Sequence, residues 1–105
     1  MSNDFFAPPP FKPAEALIGL RRQLRDLKLT ERAGAQAARF ELAGSTMLEL
    51  QHATDEAGDH LVARLARRPA RTPDWETRHL RSGADVRSLL DEVRRRMLRW
   101  DDERE

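Results

Sequence analysis

The sequence predicts an α+β domain, a two-layer sandwich in which a helix, three or four antiparallel strands and a second helix follow one another. Apolar residues have helical spacing near both ends of the chain, and they alternate with polar residues in the middle. The glycines of the middle segment also fall where tight turns are needed. An all-α helical hairpin or bundle is the alternative, because the stretch from Phe40 to Leu61 also contains a helical stripe.

The chain has 105 residues, which is enough for one modest core and too few for two. Residues 1–13 hold three of the four phenylalanines and four of the six prolines, so we expect a flexible Pro/Phe-rich arm there. A single domain over residues 14–100 and an acidic tail over 101–105 complete the expected organisation.

Helical spacing is clearest at the two ends of the predicted domain. Pro13 suits the first position of a helix, and a leucine stripe from Leu17 to Leu27 predicts a helix over about 14–29. Ser82 followed by Asp85 is similar to a capping box, and it precedes a second helix over about 83–100. The apolar face of that second helix consists of Val86, Leu89, Leu90, Val93, Met97 and Trp100.

Glycine placement favours strands over one long helix in the middle of the chain. A helix over residues 31–68 would contain Gly34, Gly44 and Gly58 at a cost of about 1 kcal/mol each relative to alanine. In a sheet, Gly44 and Gly58 fall in two hairpin turns. The segment WETRHL, residues 75–80, alternates as a fourth strand would, although a short helix after Pro73 is the alternative.

One strand register places the apolar side chains of the middle segment on a single face. It sets Phe40 opposite Leu48 in the first hairpin and Leu50 near Leu61 in the second. The reverse face is then mostly polar, as a solvated antiparallel sheet requires. That outer face collects Arg39, Glu41, Met47, Glu49, Gln51, Val62 and Arg64.

No residue pattern predicts an enzyme, a metal centre or a cofactor site. The chain has no cysteine and no tyrosine, and it contains neither a phosphate-binding glycine loop nor a nucleophile motif. A helix over the middle segment would stack His52, Glu56 and His60 on one face as candidate ligands. In the sheet, His52 and His60 instead flank one hairpin and could face each other.

The charge distribution suggests a binding surface rather than a reaction. Net charge is only +1, but residues 60–81 carry six arginines against two acids. The segment from Arg64 to Arg71 therefore supports nucleic-acid binding as the alternative function. No window is apolar enough for a membrane span and no secretory signal begins the chain, so a cytoplasmic protein is expected.

The function that the sequence predicts is protein–protein interaction by a small homodimeric adaptor or chaperone-like module. The order of a leading helix, a meander and a closing helix is similar to that of small α+β secretion chaperones, in architecture only. An apolar patch with arginines at its rim would bind the partner. The expected partner-binding residues are Phe5, Phe6, Phe11, Met47, Val62, Arg64, Arg67 and Arg68.

Overall fold

The structure, a computed structural model, describes residues 11–33, 37–70 and 72–104. The elements are helix α1 (Pro13–Asp26), strands β1 (Thr30–Ala33), β2 (Ala37–Leu42), β3 (Ser45–Asp55), β4 (Gly58–Ala70) and β5 (Trp75–Leu80), and helix α2 (Gly83–Arg104). Within this part of the chain the strands form one antiparallel sheet in the order β1-β2-β3-β4-β5. The α+β class is confirmed, and the all-α alternative is wrong.

Two predicted boundaries and the strand count need correction. The four-residue strand β1 was not predicted, since TERA is too short to show a clear alternation. Helix α1 ends at Asp26, three residues before its predicted end, and α2 continues to Arg104 rather than ending at Trp100. Residues 101–104 of the predicted acidic tail therefore belong to a helix. Strand β5 confirms that residues 75–80 are extended.

Helix α1 ends in a Schellman motif. The N–H of Leu29 donates to the carbonyl oxygen of Leu24 at 3.4 Å, and the N–H of Lys28 donates to that of Arg25 at 2.9 Å. Leu24 and Leu29 both lie in the core, which anchors the motif. Lys28 adopts a φ of 74°, a left-handed conformation that glycine adopts without strain.

Replacing Lys28 with glycine is expected to raise the free energy of unfolding by about 1 kcal/mol, because a left-handed residue with a Cβ costs roughly that much. Urea denaturation measures the change. Lys28→Ala is the matched control, since it removes the long side chain and keeps the strained Cβ, and it should leave stability nearly unchanged. Equal stabilities of the glycine and alanine variants would show that φ at this position is not strained.

Helix α2 begins as the capping pattern predicted. The Ser82 hydroxyl accepts a hydrogen bond from the backbone N–H of Asp85 at 3.2 Å, and the Asp85 carboxylate accepts one from the backbone N–H of Arg81 at 2.8 Å. The reciprocal bond thus reaches the residue before the cap rather than the cap itself. The negative charge of Asp85 in the first turn of α2 also interacts favourably with the helix dipole.

The two hairpins turn at the predicted glycines. Ala43 and Gly44 join β2 to β3, and both have positive φ (52° and 85°), as a type I′ turn requires. The turn from β3 to β4 has Asp55 at its first position and Gly58, with a φ of 111°, at its fourth. There the Asp55 carboxylate accepts a hydrogen bond from the N–H of Ala57 at 2.9 Å.

The observed register agrees with the predicted one in the first hairpin and differs in the second. Phe40 lies opposite Leu48, as predicted. Leu50 lies opposite Ala63 rather than Leu61, a shift of two residues that follows from the two-residue turn. Because side chains alternate with a period of two, the shift keeps the same residues on the inner face.

The core lies between the inner face of the sheet and the apolar stripes of both helices. Phe40, Leu48 and Leu65 from the strands are fully buried, as are Leu24 of α1 and Leu89 of α2. These residues belong to one contiguous apolar cluster, so the two predicted helix stripes and the predicted inner face meet. No helix in the described ranges is long and apolar enough to cross a membrane.

The prediction that Met47 lies on the outer face is wrong. Met47 is completely buried and belongs to the core cluster. The ladder is irregular here: Thr46 pairs with Glu41 and Leu48 with Phe40, which leaves Met47 as an extra residue in β3. Such a β-bulge breaks strict alternation, so the consecutive residues Met47 and Leu48 both enter the core.

A buried arginine connects α2 to the sheet. Arg96 is 7% exposed, and it donates to the carbonyl oxygen of Ala66 at 3.0 Å. Its guanidinium also forms ion pairs with Glu76 at 2.5 Å and with Glu92 at 2.7 Å. The hydrogen bonds from Arg96 lower the pKa of both carboxyls, so all three groups are charged at neutral pH.

Candidate interaction surface

The sheet face opposite the core, here called the open face, carries the surface groups that offer the most to a partner. Its side chains alternate with the buried residues along β2 to β5. They are half-buried or exposed, and their chemistry mixes guanidinium, carboxylate, aromatic and imidazole groups. The open face comprises Arg39, Glu49, Gln51, Val62, Arg64, Trp75, Thr77 and His79.

Arg64 is held at the centre of the open face by two neighbours. Its Nη1 donates to Glu49 Oε1 at 3.2 Å, and its Cζ lies 4.8 Å from the centroid of the Trp75 ring. Glu49 also accepts a hydrogen bond from Arg39 Nε at 3.1 Å. One row of contacts therefore crosses four strands and fixes a guanidinium over an indole ring, where cation–π attraction stabilises it.

A pair of histidines lies next to this row. His60 Nε2 is 3.1 Å from His79 Nδ1, and His60 Nδ1 is 3.3 Å from the carbonyl oxygen of Gly58. His60 is only 2% exposed, whereas His79 is exposed. One of the two facing nitrogens must carry the proton of this contact, and the other must accept it.

The expected approach of His52 to His60 does not occur. The register places His52 opposite Leu61 and Ala53 opposite His60, so the two histidines belong to opposite faces of the hairpin. His52 Nε2 is instead 4.0 Å from Asp59. Among the described residues, no group of three or more His, Asp or Glu side chains is arranged to hold a metal ion.

An ion pair closes the end of the β3–β4 hairpin. Both terminal nitrogens of Arg81 donate to the Asp55 carboxylate, at 2.5 and 3.2 Å. This contact ties the hairpin turn to the segment that leads into α2. The hydrogen bond from Arg81 lowers the pKa of Asp55 from 3.8 to about 2.

The Asp55–Arg81 pair predicts a specific pH dependence of stability. Because the folded-state pKa of Asp55 is depressed, its contribution is fully present above pH 3.8 and is lost as the pH falls through about 2. An NMR titration of the Asp55 carboxyl carbon should therefore have its midpoint near 2. In Arg81→Gln the midpoint should rise toward 3.8, and a native midpoint already at that value would contradict the pairing.

The partner-binding residues predicted from the sequence do not form one surface in the structure. Val62 and Arg64 lie on the open face, while Met47 lies in the core. Phe11 is half-buried and packs against the core cluster, so only part of its ring is exposed to a partner. Phe5 and Phe6 lie outside the described residues.

The two remaining arginines lie beyond the open-face row in β4. Both are exposed. Arg67 Nε forms an ion pair with Asp74 at 3.3 Å, and Arg68 also has an interaction of its own. The basic segment is therefore balanced in part by acids of the same chain, and it continues toward Arg71, which lies outside the described residues.

Sequence reasoning missed Trp75, Thr77 and His79 as members of the surface. The alternation in WETRHL contained the signal, since residues 75, 77 and 79 share one side of a strand. The alternation did not show which strand lies beside residues 75–80. Trp75 comes within reach of Arg64 only because Thr77 pairs with Arg64 in the sheet.

Strand β5 also presents a free edge. It is the last strand in the sheet order, so one side of it has no strand neighbour in the part of the chain that the structure describes. The N–H of Arg67 donates to the carbonyl oxygen of Asp74 at 2.9 Å. Because hydrogen-bonded pairs alternate along an antiparallel ladder, Trp75, Thr77 and His79 point their backbone N–H and C=O groups away from β4.

Comparison with known proteins gave no match among family models, curated proteins or solved structures. The candidate function therefore rests on the surface chemistry described above.

Proposed function

We propose that this chain is a protein-binding module, an adaptor or chaperone-like homodimer of the cytoplasm, which uses its open face to hold another protein. The observation that carries the proposal is the Arg64–Trp75 stack. Tryptophan and arginine dominate the energetic centres of protein interfaces, and here the two side chains form one unit that Glu49 holds in place.

Preorganisation supports the proposal. An arginine that is already fixed loses less conformational entropy when a partner covers it. Glu49 is only 14% exposed beneath the guanidinium, so the partner meets the arginine and the indole rather than the carboxylate. Val62 and Gln51 extend the same surface with one apolar and one polar side chain.

Site-specific photo-crosslinking in the native cell tests the proposal. A photoreactive residue at Gln51, which is exposed on the open face, should form an adduct with another protein. The adduct should disappear in Trp75→Ala and in Arg64→Ala. It should persist in Leu98→Ala, a matched loss of an exposed apolar side chain (69% exposed) on α2.

An adduct that survives both open-face substitutions would show that the Arg64–Trp75 stack does not carry binding. The same would hold if a photoreactive residue at Ile18, 62% exposed on α1, captured the same protein equally well. Circular dichroism of each variant verifies that the fold is retained.

Two contacts weigh against the alternative, nucleic-acid binding through Arg64–Arg71. Arg64 is paired with Glu49 and Arg67 with Asp74, and phosphates would have to compete with these carboxylates. A titration with duplex RNA or DNA at two salt concentrations decides between the functions. Tight binding that weakens steeply with salt would favour the nucleic-acid alternative.

A further inference from the structure

We infer that the free edge of β5 pairs with β5 of a second copy, in an antiparallel register with Thr77 opposite Thr77 of the other copy. The inference deepens the proposed function, and it rests on the homodimer which that function includes. It adds the contact surface, the register and the relative orientation of the two sheets.

Backbone geometry supports this register. Trp75, Thr77 and His79 direct their N–H and C=O groups toward the free side of β5, because Asp74 is hydrogen-bonded to Arg67 on the other side. With Thr77 on the two-fold axis, Trp75 of each copy lies opposite His79 of the other. The three outward-directed residues of each copy then form about six intermolecular hydrogen bonds.

Side-chain charge supports the same register. Antiparallel pairing about Thr77 places Glu76 of each copy opposite Arg78 of the other, in positions where facing side chains are closest. Inward-pointing charges usually discourage strands from pairing at an edge. Here the two charges are opposite in sign and two residues apart, and Arg78 Nε already donates to Glu76 of its own copy at 3.1 Å. The pairing therefore sets two such ion pairs side by side and places no like charges directly opposite each other.

The opposite edge of the sheet is less suited to such pairing. Strand β1 has four residues against six in β5. A two-fold pairing centred on the middle of β1 would place Glu31 opposite Glu31, or Arg32 opposite Arg32, of the second copy, so like charges would face each other. The edge of β5 is thus the longer one, and it is the edge with a self-complementary sequence.

The pairing has a consequence for the open face. Residues directly opposite each other in a ladder point to the same side of the sheet, so the two open faces become one continuous surface of ten strands, five from each copy. Two Arg64–Trp75 stacks would then flank the two-fold axis. A partner could contact both at once, with the gain in affinity that two linked sites provide.

Single-cysteine crosslinking tests the register, and the absence of native cysteine keeps the result unambiguous. Thr77→Cys should form a disulfide-linked dimer under mild oxidation, since directly opposed Cα atoms in a ladder lie about 5.5 Å apart. Thr30→Cys is the matched control, an exposed threonine on the opposite edge strand, and should remain monomeric on a non-reducing gel. Equal crosslinking of both variants, or none at position 77, would overturn the inference.

Sedimentation equilibrium over a concentration series tests the proposed backbone hydrogen bonds between the β5 strands of the two copies. Thr77→Pro removes an N–H that points away from β4, so the fold should survive while dimer is lost. Thr77→Val keeps the N–H and should remain dimeric, and thermal melts followed by circular dichroism confirm folding of both. If Thr77→Pro fails to fold, the crosslinking result at position 77 decides.

These outcomes separate the inference from the proposed function. A wild-type dimer that tolerates Thr77→Pro would overturn β5 pairing and leave the homodimer intact. A chain that is monomeric throughout the series would overturn both β5 pairing and the homodimer. Partner binding by the open face is measured independently, by the adduct formed at position 51.

Discussion

Met47→Asp is expected to unfold the domain at room temperature. Met47 is completely buried in the core, and an ionised carboxylate in such a position costs several kcal/mol even after local relaxation. That cost is comparable to the whole stability of a small domain, about 5–15 kcal/mol. Loss of the far-UV circular dichroism signal and of dispersed amide resonances would record the unfolding.

Gln51→Asp is the matched control for this substitution, because it introduces the same charge into the same strand on the open face. It should change the free energy of unfolding by no more than about 0.5 kcal/mol, as exposed substitutions usually do. Under strict alternation through β3, Met47 would face solvent together with Gln51, and both variants would be stable. A folded Met47→Asp protein would therefore contradict the bulge.

Arg96→Ala is expected to lower the free energy of unfolding by about 3 kcal/mol, because it removes the buried cation that two partly buried carboxylates share. Each carboxylate then keeps only one more exposed arginine, Arg78 for Glu76 and Arg95 for Glu92. Glu76 and Glu92 are only 26% and 17% exposed in their side chains. The carbonyl oxygen of Ala66 also loses its hydrogen bond from Arg96. Urea denaturation of purified protein at neutral pH measures the loss.

Arg95→Ala is the control, since Arg95 is the next residue in α2 and also pairs with Glu92, but is 72% exposed. An exposed pair of this kind contributes about 0–1 kcal/mol. The instability of Arg96→Ala should also decrease at acidic pH, where Glu76 and Glu92 become protonated and no longer need the cation. Equal effects of the two substitutions would show that burial of Arg96 does not matter.

The contact between His60 and His79 could not be predicted from their positions along the chain. His52 and His60 are close in sequence and flank one hairpin, which made them the natural pair. The partner of His60 is instead His79, because β5 lies beside β4. Contacts between strands depend on sheet order and register, and neither quantity is encoded in the spacing of two residues along the chain.

The open face was likewise predicted only in part from the sequence. Alternation of side chains placed Val62 and Arg64 on it, since that pattern is local. The stack of Arg64 on Trp75 needed the β4–β5 register, which sequence spacing did not supply. Met47 was misplaced because a bulge shifts the alternation by one residue, and nothing in the pattern around Thr46 marks where the extra residue falls.

The sequence by itself determined the two helices, the hairpin turns at Gly44 and Gly58, and the set of residues that forms most of the core. Those features depend on interactions between residues near one another along the chain, namely helical periodicity, capping and turn conformation. Only the tertiary structure decided the burial of Met47, the Arg96 network between α2 and β5, the Arg64–Trp75 stack and the free edge of β5. Each of these depends on how different elements are arranged in space, so it exists only once the strands have paired and the helices have packed against them.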